Sequence, residues 1–132
     1  MASAAAPAVR SATGISPGYI LSLLPVLLFV FSAGMKLSHS PDMVKGMTGH
    51  LGWPEILATR LAILEISCVI LYLIPRTAVL GAVLLTGYLG GAIATHMRVG
   101  DPFYMQALLG VMLWAGVYLR DQRLHALLPL RK

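Results

Sequence analysis

Four long apolar stretches divide this chain, and proline, glycine and charged residues mark where each begins and ends. The first runs from about Gly18 to Leu37, close to the roughly 20 residues that a helix needs to cross a bilayer. Pro25 lies inside it and predicts a bend, which membrane helices tolerate when neighbours satisfy the freed carbonyl. The second opens at Pro54, a residue favoured in the first helical turn, and stops at Pro75. The third follows the short Pro75-Arg76-Thr77 corner and extends to about Met97. Asp101-Pro102 then predicts a fourth start, with Asp101 as N-cap and Pro102 at the first helical position. That stretch ends near Arg120. The pattern predicts an all-α fold, a four-helix transmembrane bundle over residues 17–121 with spans at about 18–37, 54–74, 78–97 and 102–120.

The intervening segments read differently. Residues 1–16 are rich in alanine and serine with one charge, Arg10, and are expected to form a flexible tail. A cleaved secretory signal is disfavoured, because its basic region would be one distant arginine and Pro25 would interrupt its apolar core. Residues 38–53 form the one long connection. The basic tail 122–132 places Leu124, Leu127 and Leu128 on one face, as a short amphipathic segment at a membrane surface would.

Composition strengthens the membrane reading. Of 132 residues, 58% are hydrophobic and only 11% charged, against roughly a quarter charged in soluble domains. The net charge of +5 flanks the apolar stretches rather than forming runs, so nucleic acid is not an expected partner; the lipid bilayer is. With four spans, Arg10, Arg76, Arg120, Arg123, Arg131 and Lys132 share one side with Asp121 alone. Lys36, Lys45 and Arg98 face the other side, balanced by Asp42, Glu55 and Asp101. This positive-inside bias predicts a multi-pass protein of the plasma (inner) membrane with both termini cytoplasmic. Cys68 is the single cysteine, which excludes an intramolecular disulfide or dithiol centre.

Few residues remain as candidates for chemistry. Glu65 falls about 16 Å along the second helix, near mid-membrane, where a carboxylate is costly and marks a function or a partner. Its face carries Ala58, Ala62, Cys68, Val69 and Tyr72, so it should point into the bundle. Arg60 lies about 140° away around the helix and is expected to snorkel to the headgroups. Ser22, Pro25, Phe29, Ser32, Ala33 and Lys36 make the inward face of the first helix. Lys36 is a candidate partner for Glu65, but the backbone rise leaves a gap of about 10 Å or more; an end-of-helix anchor is the alternative. On the third helix Thr86, Gly87, Gly90, Gly91, Ala94 and Thr95 form two overlapping rows of small residues, expected to be the packing face, with Arg98 continuing it. His96 falls on the opposite half with Leu85, Leu89 and Ile93. It has no second histidine at helical spacing, so no metal site is expected.

The segments FSAGMKL, LAILEISCVILYLIPRT, LTGYLGGAIATHMRVG and GVMLWAGVYLRDQRLHALLP resemble the DoxX-like family of small four-helix integral membrane proteins. The resemblance covers roughly residues 18–129. It implies the four-helix fold and points, position by position, to Lys36, Glu65, His96 and Arg98. Some members are linked to quinone-dependent redox complexes, so a quinone is the cofactor it suggests and a redox partner subunit or a second copy the suggested partner. Whether the chain is an enzyme is left open by the sequence. Three readings follow: a subunit binding an apolar ligand near Glu65, a structural or assembly subunit in which Glu65 only knits helices, and a proton-coupled carrier of a small solute.

Overall fold

A computed structural model describes residues 17–129. The expectations for the tail 1–16 and for the last three residues lie outside the described segment. Among the described residues there are five α-helices and no strand. Helix α1 spans Pro17–Ser38, a four-residue α2 spans Pro41–Val44, α3 spans Ile56–Leu73, α4 spans Ala78–Arg98 and α5 spans Tyr104–Arg120. A π-helical turn, Lys45–His50, continues α2, and a 3₁₀ turn, Gln122–Ala126, follows α5.

The four long helices close a ring in which α1 packs on α3 and α5, and α4 on the same two. Their outward faces are lined with exposed large apolar side chains, among them Leu23, Leu27, Phe31, Ile63, Ile70, Leu80, Leu84 and Val111. A water-soluble monomer rarely exposes apolar surface on this scale; here it is the surface that lipid covers. Helices α1, α3 and α4, of 22, 18 and 21 residues, are long and apolar enough to cross a membrane. Helix α5 has 17 residues, at the short limit for a span.

Inward faces follow the expected pattern on α1 and α3. Helix α3 buries Ala58, Ala62, Glu65, Cys68, Val69 and Tyr72, and α1 buries Ser22, Pro25, Phe29 and Ala33. Arg60 is exposed.

Helix α4 departs from expectation. It buries Ala78, Gly81, Ala82, Leu85 and Leu89, the half opposite the glycine rows. A Cβ added at Gly87, Gly90 or Gly91 would meet nothing within 4 Å, and Thr95 Oγ1 donates back to the Gly91 carbonyl of its own helix at 2.8 Å. The expected packing face is therefore open. Leu85 and Leu89 fill the core better than glycine can, and the close approach falls to Gly81, where a Cβ would stand 2.3 Å from Tyr72 N. The Pro75–Thr77 corner brings α3 and α4 together there.

Two boundaries also shift. Helix α3 starts at Ile56, two residues after Pro54. Helix α5 starts at Tyr104 with Phe103 as N-cap and no side-chain cap. Asp101 is not that cap: its carboxylate is taken by two histidines. In the C-terminal segment only Leu124 of the three leucines is buried, so Leu127 and Leu128 do not share its environment.

Candidate functional site

The end of the bundle that holds the first described and last described residues is closed. Gly18 and Gly116 bring α1 and α5 together, Tyr72 donates to the Leu113 carbonyl at 2.6 Å, and Ser22 Oγ lies 2.9 Å from the Tyr72 hydroxyl. Arg120 stacks on Tyr72 and Tyr19 and donates to the Tyr72 carbonyl. Toward the other end, which carries the long connection and the α4–α5 corner, the helices part around a cavity of about 760 Å³.

Glu65 forms the polar wall of this cavity. It is 1% exposed. Lys36 Nζ donates to its Oε2 at 2.9 Å and Tyr88 donates to the same oxygen at 3.2 Å, so α1, α3 and α4 meet at one carboxylate. Lys36 also donates to Ser32 Oγ, and its ammonium lies 5.9 Å from the Tyr88 ring centre. A charge taken out of water costs several kcal/mol unless paired and hydrogen-bonded, and this geometry supplies both. Glu65 Oε1 has no hydrogen-bond partner among the described residues.

The pairing of Lys36 with Glu65 overcomes the expected gap for a geometric reason. Backbone rise counts only the axis, but helical side chains lean toward their own N-terminus. Helices α1 and α3 run in opposite directions. The Lys36 side chain therefore leans into the bundle while Glu65 leans outward to meet it.

Ser32, Thr95, His96 and Gln106 add polar groups to the lining, and the rest of the wall is apolar. Leu28, Leu61, Leu64 and Leu109 line its sides, and Met43, Met47, Leu51 and Trp53 close over it from the long connection. Gly87 and Gly91 face it without side chains, so the open glycine rows widen a space instead of tightening a seam.

The two remaining candidates on α4 sit at the rim. His96 lines the cavity and is half-buried; its Nδ1 lies 3.1 Å from Asp101 Oδ2, while His50 Nε2 reaches the same oxygen at 2.7 Å. Donation from both rings holds the Asp101 carboxyl below its usual range. Arg98 is exposed and does not continue an inward face. It donates to the Leu51 carbonyl and stacks 5.3 Å from the Trp53 ring, so it ties the connection down over the cavity. His39 similarly bridges Glu55 and Thr59.

Lys36 and Glu65 are thus brought together, His96 shares their cavity, and Arg98 serves its cover. Tyr88 was not legible as a candidate, although its position between Leu85 and Leu89 would reveal it once those leucines are assigned inward. Gly81 was equally hidden, and the short corner before α4 was its signal.

An all-helical membrane protein with a buried ion pair beneath an apolar cavity is the class that this fold and site define. A family model described as the DoxX-like family matches residues 20–117. The chain belongs to that family. Neither curated proteins nor solved structures returned a match.

Proposed function

We propose that this chain is a membrane subunit that binds an apolar molecule with a polar head, of the quinone class, in the cavity beside Glu65. The observation that carries the reading is the pairing of a buried carboxylate with room. Among the described residues Glu65 keeps one oxygen free at the wall of a space of about 760 Å³, within the size of sites for small organic ligands. A ring of the benzoquinone type would accept a hydrogen bond from the Lys36 ammonium that Glu65 holds in place, and its tail would lie against the leucines and methionines. The family's link to quinone-dependent redox complexes supports the same class of ligand. In this reading α5 also crosses the membrane, both termini are cytoplasmic, and the cavity opens in the outer half of the inner membrane.

Trp53 lines the cavity and provides the test. A short-tail benzoquinone added to the full chain in lipid nanodiscs should quench Trp53 emission saturably. Trp53→Phe should remove the saturable part, and Glu65→Gln should weaken the apparent affinity several-fold. Quenching that is linear in quinone and indifferent to Glu65 would overturn the reading.

A structural role has one observation in its favour, since the Glu65 carboxylate joins three helices. That role alone predicts a loss of stability in Glu65→Gln with no saturable quenching in the parent chain.

A further inference from the structure

The His96–Asp101–His50 cluster stands apart from the Lys36–Glu65 pair but opens on the same cavity. A carboxylate accepts hydrogen bonds and donates none. Asp101 accepts from both imidazoles through one oxygen. The His96 proton must then sit on Nδ1, and a neutral ring leaves its lone pair on Nε2. That tautomer is set by the partner of the other nitrogen. Nε2 has no hydrogen-bond partner among the described residues, and the ring lines the cavity. On the Glu65 wall Tyr88 gives its proton to Glu65, and Lys36 donates to Glu65 and to Ser32. Among the described residues His96 Nε2 is thus an acceptor without a partner, as are Glu65 Oε1 and the buried Gln106 Oε1 on the same cavity.

Building on the ligand reading above, we propose that His96 is a specificity-determining residue whose Nε2 accepts a hydrogen bond from a ligand hydroxyl. The cavity would then prefer the hydroxylated member of an aromatic pair, a hydroquinone or phenol, over the same ring with its oxygens blocked. Asp101 acts through His96 as a positioning residue, because it fixes which ring nitrogen carries the proton. His50 holds the other lone pair of the same Asp101 oxygen and fastens the connection, but it does not determine the His96 tautomer.

The proposal separates three neighbouring side chains by ligand preference. Calorimetric titration of the nanodisc-embedded full chain, with empty nanodiscs subtracted, compares a short-tail benzoquinone, its hydroquinone and the dimethyl ether of that hydroquinone. The parent chain should bind the hydroquinone roughly tenfold or more tighter than the ether, the factor that one lost buried hydrogen bond produces. His96→Phe should lower the ratio several-fold, with the free Glu65 oxygen and the buried Gln106 Oε1 remaining as acceptors on the same cavity. Asp101→Asn should do the same or reverse it, since an amide can present N–H to Nδ1 and move the ring proton to Nε2. His50→Ala should keep the parent ratio. A tenfold preference that survives both His96→Phe and Asp101→Asn would overturn the proposal. Benzoquinone binding without any preference in the parent chain overturns it alone and leaves the ligand reading standing. No binding of any probe overturns both.

Discussion

The two ends of this bundle are built from the same residue types and do opposite things with them. At the closed end, glycine sits where backbones touch: Gly81 against Tyr72, Gly18 against Gly116. At the cavity end, Gly87 and Gly91 touch nothing and leave space. Buried polarity divides in the same way. The Tyr72 hydroxyl uses its proton on the Leu113 carbonyl, while beside the cavity Glu65 Oε1 and His96 Nε2 have no partner among the described residues. One end is a seam, where the Tyr72 and Ser22 hydroxyls are engaged within the protein and Arg120 stacks on two tyrosines. The other is a vessel. A small-residue row alone does not distinguish them; what the opposite face of the helix buries does.

The largest difference between the two ends lies at the ion pair. Lys36→Met leaves the Glu65 carboxylate buried with only Tyr88, and the loss of one partner from a buried pair costs about 3 kcal/mol or more. Glu65→Leu should cost less, because the Lys36 side chain is 19% exposed against 1% for Glu65 and its ammonium can extend to solvent. The double variant should recover part of the Lys36→Met loss. Thermal unfolding in one detergent measures all three, and equal losses in the two single variants would show that Glu65 is not the buried partner.

Next in size is the contrast between glycines on one helix. Gly81→Ala places a methyl 2.3 Å from Tyr72 N and 2.5 Å from Tyr72 Cα, backbone atoms that cannot swing aside. Overpacking of this kind costs about 2–3 kcal/mol. Gly87→Ala and Gly91→Ala meet no atom and remove the backbone freedom of glycine, so their stability should be unchanged or slightly raised. The same two substitutions narrow the cavity and should weaken benzoquinone quenching of Trp53. A stability loss at Gly91 equal to that at Gly81 would mean that the open face is packed in the membrane.

The chain made some of this legible and hid the rest for identifiable reasons. The inward faces of α1 and α3 follow from angular position because each contains a costly polar residue, Lys36 or Glu65, among small ones. Helix α4 has no such marker. Its two halves are leucine-rich and glycine-rich, and both patterns occur at helix interfaces. The choice between them depends on the neighbouring helices, which supply the leucines' partners. Asp101-Pro102 misled similarly: the pair is a good helix start in isolation, but His50 arrives from 51 residues away and takes the carboxylate that the cap would need. Contacts from distant sequence, not local propensity, decided both.

The smallest expected effect lies at the cover of the cavity and concerns pH. The Asp101 carboxyl is held below its ordinary value of 3.8, chiefly by the hydrogen bond from His96 and then by that from His50. A depressed carboxyl contributes fully above its ordinary value and loses that contribution as pH falls through the lowered one. Docking of the connection should therefore persist from neutral pH to about 4, by the reference range for aspartate, and weaken only beneath it. Trp53, stacked on Arg98 beside this contact, reports the change through its emission maximum. Asp101→Asn should remove the acidic transition, since an amide does not titrate. An acid shift of Trp53 emission unchanged by Asp101→Asn would assign it to another carboxyl at the same end, Asp42 or Glu55, and would detach the cover from the His96 corner.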